Sequence, residues 1–407
     1  MTPASRASRA PAGEECILVL QGGGALGAYQ AGVFEALGSE GTAPQWVAGI
    51  SIGAVNAALI AGNAPGDRVA RLLEFWELVT GQVAPTLPFN GVSRSLQNRQ
   101  NATLAMLFGA PGFFSPRLPP VFLQPPGSPG AISYYDTTPL RATLERLIDF
   151  DRLNHGGVRL SVGAVNVRTG NFAYFDSANE RLDVRHVMAS GALPPGFPPV
   201  EIDGEEYWDG GLVSNTPLQY VLDQPGHGHR VVFQVDLFPA RGPLPRTLAD
   251  VIEREKDIRY SSRTRMNTTI ELRQQAIAQA AQRLLAKLPA KLRDDPDAAA
   301  LAALRCPGEV AVVHMIYRRK HYESQSKDYE FSRLSMQEHW EAGRADTLRT
   351  LRDPRWTGRK RNATGVHVYD LSAPTPTEKT ASVGDSGLRE HHNRGLRAPS
   401  TPKLERT

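Results

Sequence analysis

The chain has 407 residues, 41% of them hydrophobic and 22% charged, with a formal net charge of +4, an ordinary globular composition that excludes a wholly disordered, collagen-like or multi-span membrane protein. Cys16 and Cys306 are its two cysteines, so no disulfide framework is predicted and a reducing, cytoplasmic setting is expected. The mild positive balance is compatible with an acidic surface but does not demand one.

Residues 1–14 contain Arg6 and Arg9 with no apolar stretch behind them and are expected to be a disordered leader rather than a secretory signal. The apolar run Ile17 to Leu20 predicts a strand; it is followed by Gly22-Gly23-Gly24-Ala25-Leu26-Gly27, then a helix with Tyr29, Val33 and Leu37 at four-residue spacing. Gly27 and Gly32 are costly in a helix, so they predict close backbone packing. A second strand, Trp46-Val47-Ala48, leads into Gly49-Ile50-Ser51-Ile52-Gly53 and an apolar run ending at Gly62. That run is too short to cross a bilayer and predicts a buried helix; any membrane contact is expected to be peripheral. Strand, turn, helix, repeated, is the alternation that builds a parallel sheet covered on both faces.

The two turns suggest complementary chemistry. Glycines leave backbone N–H groups unobstructed at a helix N-terminus, which suits a negative charge. Gly49-Ile50-Ser51-Ile52-Gly53 has the GxSxG spacing of a nucleophile elbow, where flanking glycines let the chain turn sharply enough to expose the serine oxygen. The first motif also fits a dinucleotide-binding unit, which calls for an acid at the end of the second strand, roughly 20 residues past the glycines. Ala48-Gly49-Ile50-Ser51 stands there, and the nearest acid, Glu40, lies in the Gly38 to Thr42 turn.

A helix is predicted over Asp67 to Val79. Between 83 and 133, nine prolines and the scattered Phe89, Phe108, Phe113, Phe114 and Phe122 predict an insertion without long regular elements. It reads either as a flap over the substrate or as a surface excursion. Thr138-Pro139 opens a helix through Leu140, Leu144 and Leu147. Arg159 to Val167 and Phe172 to Phe175 predict a strand pair, Val184 to Ala189 a short helix, and Arg230 to Leu237 a central strand. Helical spacing follows from Thr247 to about Leu288, then a buried strand at Glu309 to Tyr317 and an amphipathic helix at Phe331 to Leu351. The expected organisation is a catalytic domain over 15–240, a mainly helical extension over 241–355 packing on it, and a disordered tail over 356–407.

A serine hydroxyl is a weak nucleophile until a base takes its proton. Downstream candidates are His186, His227, His229 and several aspartates. Asp203-Gly204 separates two short strand-like runs and predicts a two-residue hairpin turn. Asp209 instead ends the second run, just before Gly210-Gly211, where a carboxylate can approach another backbone closely.

Gly22 to Gly27, Gly49 to Gly53 and Asp209-Gly210-Gly211, with Ala189-Ser190-Gly191-Ala192 and Phe197-Pro198-Pro199-Val200 between them, resemble the patatin-like phospholipase family. The resemblance runs from Ile17 to Leu237 and implies a three-layer α/β fold with a mainly parallel sheet. It implies a serine lipid acyl hydrolase working through a dyad without histidine, with no cofactor, no metal and no nucleic-acid partner. Carried over by position, it implies Ser51 as nucleophile, Asp209 as base, and oxyanion donors from Gly22, Gly23 and Gly24, joined by the Ile52 N–H. Lys327-Asp328-Tyr329-Glu330-Phe331 through Leu351 resembles a C-terminal extension of one bacterial branch. Relatives with Arg or Lys in place of Leu26 have a cation there for a phosphate; this chain does not.

Three other readings compete. An α/β-hydrolase esterase would use Ser51, Asp209 and His227 or His229 in the chain order Ser, Asp, His, although the elbow arrives at the second predicted strand, early for that fold. A nucleotide-binding oxidoreductase would use Gly22 to Gly27. A non-catalytic membrane-associating protein would keep only the scaffold.

Overall fold

Side chains alternate across the first strand, β1 (Glu14–Leu20): Leu18 and Leu20 point into one apolar core and Ile17 and Val19 into a second. The computed structural model describes residues 14–81, 91–224, 229–262, 273, 277–289, 292, 295–302, 309–318, 323, 326–359 and 365–371. The remaining strands are β2 (Trp46–Gly49), β3 (Ser115–Pro116), β4 (Tyr135–Asp136), β5 (Arg159–Asn166), β6 (Phe172–Asp176), β7 (Val200–Ile202), β8 (Glu205–Asp209), β9 (His229–Asp236), β10 (Glu309–Ile316) and β11 (Gly365–Asp370). Apart from a small β3–β4 pair, they form one sheet in the order β11-β10-β9-β1-β2-β5-β8-β7, with β6 also on β5. From β11 to β5 every neighbouring pair is parallel; β6, β7 and β8 join antiparallel.

Ten helices are used below: α1 (Ala28–Ser39), α2 (Ile52–Ala61), α3 (Arg68–Val79), α4 (Gly91–Phe108), α5 (Thr138–Leu147), α6 (Phe150–His155), α7 (Val184–Ser190), α8 (Leu218–Asp223), α9 (Leu248–Tyr260) and α10 (Arg333–Arg352). On one face of the sheet Leu18, Leu20, Phe233 and Val313 pack with residues of α1, α2 and α3. On the other, Ile17, Val19, Val232 and Val312 pack with Leu218, Val221 and Leu222 of α8. Each fully buried side chain of this size adds about 1.5–3 kcal/mol, and the alternation makes any slip in strand register expensive. The mainly parallel α/β architecture is as expected, with α2 buried along its whole length.

α10 lies on α1 at backbone contact. A Cβ on Gly32 would overlap the carbonyl of Trp340, and one on Gly343 would overlap that of Tyr29, so the predicted packing role of Gly32 is met by the C-terminal part of the chain.

The structure corrects two expectations. The insertion holds an 18-residue helix, α4: its prolines stop at Pro88 and resume at Pro111, leaving an uninterrupted window between. The tail expected to be disordered from 356 includes β11, which pairs with β10 from Glu309↔Gly365 to His314↔Asp370; Val366 is buried and Tyr369 packs edge-on against Trp356, so a few apolar contacts in a polar stretch suffice to hold it. The leader up to residue 13, Cys306 and the tail beyond Leu371 lie outside the described residues.

Candidate active site

The site is built by two strands that meet head-on along one edge of β5. β2 pairs with it up to Gly49↔Val162, and β8 pairs with it antiparallel, ending at Ala164↔Asp209. β6 pairs with β5 across both stretches, from Ser161 to Val165, and so must hold the opposite edge. The C-terminal ends of β2 and β8 therefore converge on Gly163, which brings Ser51 and Asp209 together. Side chains leave little room here: a Cβ on Gly210 would stand 2.6 Å from the Gly163 carbonyl.

Ser51 sits at the sharp turn from β2 into α2 with φ 55° and ψ −124°, a left-handed conformation that costs a non-glycine residue about 1–3 kcal/mol. The turn closes only because 49 and 53 are glycines: a Cβ on Gly49 would overlap the backbone of Gly53, and one on Gly53 the carbonyl of Leu20. The Ser51 N–H donates to Ser190, to its carbonyl at 3.1 Å and its hydroxyl at 3.0 Å. Ser190 is thus the anchor of the elbow.

Asp209 is 2% exposed. Burial pushes its carboxyl up to about 7, while hydrogen bonds from the Ser51 hydroxyl and the Gly211 N–H pull the other way. The Gly211 bond spans 2.7 Å to Oδ1. Asp203, by contrast, takes φ 52° beside Gly204 at φ 82°, the two-residue hairpin turn expected of it.

The glycine loop is held from outside. Gly22 N–H donates to the Asn215 carbonyl at 3.2 Å, so the expected role of Gly22 as an oxyanion donor is corrected: its donor is already engaged. Asn215 Nδ2 donates back to the Gly22 carbonyl at 3.1 Å and to the Tyr260 carbonyl at 3.0 Å. Gln21 Nε2 reaches the same Tyr260 oxygen at 3.0 Å. Among the described residues the N–H groups of Gly23, Gly24 and Ile52 have no hydrogen-bond partner. Gly27 serves packing, since a Cβ there would come 2.6 Å from Ile52 Cγ1.

Ser51, Asp209 and Gly22 to Gly24 line one cavity of about 450 Å³. Its walls are mostly apolar; Phe113 and Phe114 of the insertion, Phe197 and Phe331 of the C-terminal region form a cluster of edge-to-face and tilted rings there. Lys256 of α9 also borders the cavity, paired with Asp328 at 2.5 Å. The sequence reading missed Asn215, Lys256 and Tyr260, and left the Lys327 to Phe331 segment without a role. The carbonyl of Asp328 accepts the Ala25 N–H at 2.7 Å.

Among the described residues no histidine lines the cavity. His229 pairs in register with Glu14, at the far end of β1 from Leu20↔Val235, a six-residue step of about 20 Å from the site's end of the sheet. His186 caps α7, its Nδ1 accepting the Asp183 N–H at 2.9 Å. His227 lies outside the described residues. No group of three or more His, Cys, Asp or Glu suited to a metal occurs among the described residues.

Compared with known protein families, the chain matches the model of patatin-like phospholipases over residues 18–222 and that of a domain described as patatin phospholipase over 258–363. The chain belongs to the patatin-like phospholipase family. As a patatin-like phospholipase it is a hydrolase of lipid acyl esters. Among solved structures it is similar to VipD from Legionella pneumophila, at 15% identity over 86% of this chain and 69% of that one, TM-score 0.35. It is also similar to the heterodimeric ExoU–SpcU complex of the type III secretion system of Pseudomonas aeruginosa, at 19% identity over 64% of this chain and 52% of that one, TM-score 0.27. No match was found among curated proteins. The second family match spans α10 and takes in Tyr260, Asp328, Tyr329 and Phe331 of the cavity lining, so both patatin-like segments border the same cavity.

Proposed function

We propose that Ser51 and Asp209 are the catalytic dyad of a lipid acyl hydrolase. One observation carries the reading: a buried carboxylate, raised to about 7 by burial, is hydrogen-bonded to the hydroxyl of a serine held in an elbow. A base is most effective when its pKa lies near the working pH. Asp209 accepts the hydroxyl proton as Ser51 Oγ attacks the ester carbon. The oxyanion forms against the N–H groups of Gly23, Gly24 and Ile52, each such donor being worth about 100- to 1,000-fold in turnover. Asp209 then returns the proton to the departing alcohol oxygen, leaving an acyl-serine. Water repeats the cycle, giving its proton to Asp209 and releasing the fatty acid.

The mostly apolar cavity suits an acyl chain. In this reading 15–240 carries the chemistry and 241–355 completes the cavity wall. The test is hydrolysis of p-nitrophenyl esters and phospholipids, with fluorophosphonate labelling, by wild type, Ser51→Ala and Asp209→Asn. Loss of labelling in Ser51→Ala with a native circular dichroism spectrum is expected; full labelling of that variant would remove Ser51 from the role.

A further inference from the structure

Helix α4 is built inside out. Its buried positions are Arg94, Asn98, Asn101, Ala102 and Ala105, at the spacing of one helical face, and three of the five are polar. Arg94 reaches Ser335 at 3.0 Å and Glu338 at 3.2 Å on α10. Its outward positions carry five large apolar side chains, Leu96, Leu104, Met106, Leu107 at 61% and Phe108 at 67% exposure, beside Arg99, Gln100 and Thr103. A helix on a globular surface normally shows the reverse arrangement.

The loop that follows continues the pattern. Leu118 is 88% exposed, Phe122 81% and Leu123 68%. It leaves and returns beside the cavity, since the Arg117 N–H donates to the Tyr134 carbonyl at 3.2 Å. Tyr134 itself lines the cavity, as do Ala105 and Met106 of α4. The apolar surface is therefore continuous with the opening that a lipid ester must enter. Its charge is one-sided as well. No aspartate or glutamate occurs between Glu77 and Asp136, in a chain that has 42 of them, while Arg94, Arg99 and Arg117 fall in that interval.

We infer that the outward face of α4 and the 117–134 loop form a collar that docks on the surface of a phospholipid bilayer. Leu107, Phe108, Phe122 and Leu123 enter the acyl boundary and Arg99 meets lipid phosphates. Large exposed apolar patches mark interaction sites, and an interfacial helix binds through buried apolar area plus attraction to anionic lipid. The acid-free stretch removes the repulsion that such lipid would otherwise exert. This deepens the reading of the cavity as the site of lipid ester hydrolysis and rests on it.

Flotation with vesicles of phosphatidylcholine containing phosphatidylglycerol tests the inference without catalysis when carried out on Ser51→Ala. Adding Leu107→Ser, Phe108→Ser, Phe122→Ser and Leu123→Ser is expected to cut the bound fraction about tenfold or more, since each lost side chain removes buried apolar area. The four substitutions in an otherwise wild-type chain are expected to leave turnover of a soluble p-nitrophenyl butyrate within about twofold, none of the four touching the reacting atoms. Undiminished flotation would overturn the inference. So would an equal loss on vesicles and soluble ester, which makes the patch part of the fold, or conversion of a dimer to a monomer without loss of flotation, which makes a second copy its occupant. Failure of the dyad reading is distinct: it appears as ester hydrolysis by Ser51→Ala and does not alter the flotation result.

Discussion

The carbonyl oxygen of Asp328 occupies the space that a side chain on Gly24 would need. Gly24 also takes φ +55°, a conformation costing an L-residue about 1–2 kcal/mol. Gly24→Ala must therefore move the glycine loop or the Asp328 segment. We expect kcat on a soluble ester to fall about 100-fold with KM little changed, the pattern of a lost transition-state donor. Wild-type kcat in this variant would remove Gly24 from the oxyanion hole.

The same segment is tied down by charge. Lys327, buried, lies 2.8 Å from Asp257 and 3.5 Å from Glu253 on α9. Lys327→Met strands two acids without their cation and is expected to cost about 3–5 kcal/mol in urea unfolding. Adding Asp257→Asn should recover part of that loss. Strict additivity of the two changes would show that the pair is not coupled.

Activity and stability should respond to pH in opposite senses at Asp209. If Asp209 is the base, only its ionised form can accept the serine proton, so kcat/KM is expected to rise with pH through about 7 and then level off. The folded-state value lies above the ordinary 3.8, so the folded protein holds an extra proton between them. The associated stability is present below the ordinary value and is lost as pH rises through about 7. Asp209→Asn should be nearly inactive yet more stable than wild type at pH 8, by up to about 4 kcal/mol. A lower melting temperature for this variant at that pH would contradict the burial argument.

Backbone strain at Ser51 makes a separate prediction. Both Ser51→Ala and Ser51→Gly should be inactive and unlabelled, but the glycine variant should be more stable than the alanine variant by about 1 kcal/mol, because φ 55° suits it. Equal melting temperatures would mean that the elbow relaxes when the serine oxygen is gone.

His229→Ala should keep turnover within about twofold, since the imidazole stands at the opposite end of the sheet. Inactivity comparable with Ser51→Ala, in a folded protein, would revive a histidine-dependent triad.

The parts of the site legible in the sequence were those whose chemistry is local. The elbow declares itself because Gly49 and Gly53 must flank Ser51 for the turn to close. Asp209 could be separated from Asp203 because a two-residue hairpin accounts fully for Asp203-Gly204. Asn215, Tyr260 and Asp328 were not legible, because they hold the glycine loop partly or wholly through carbonyl oxygens, which every residue type carries. Gly22 was misassigned for a related reason: its motif marks a bare N–H without telling where that N–H is directed. α4 was obscured by counting prolines over the whole insertion instead of reading the gap between Pro88 and Pro111.

The placement of β10 beside β9 bears on how this enzyme can be handled. β9 is almost entirely buried, with Val231, Val232, Phe233 and Val235 alternating between the two cores, and its outer edge is covered by β10 from Arg230↔Val310 to Asp236↔Ile316. A chain cut after residue 240 would expose that edge as a row of unpaired amides on a strand whose middle, Val231-Val232-Phe233, is apolar, a ready template for sheet-to-sheet aggregation. Insolubility of such a fragment would then reflect a severed sheet rather than a misfolded catalytic centre, and the shortest version of the protein worth expressing extends through β11.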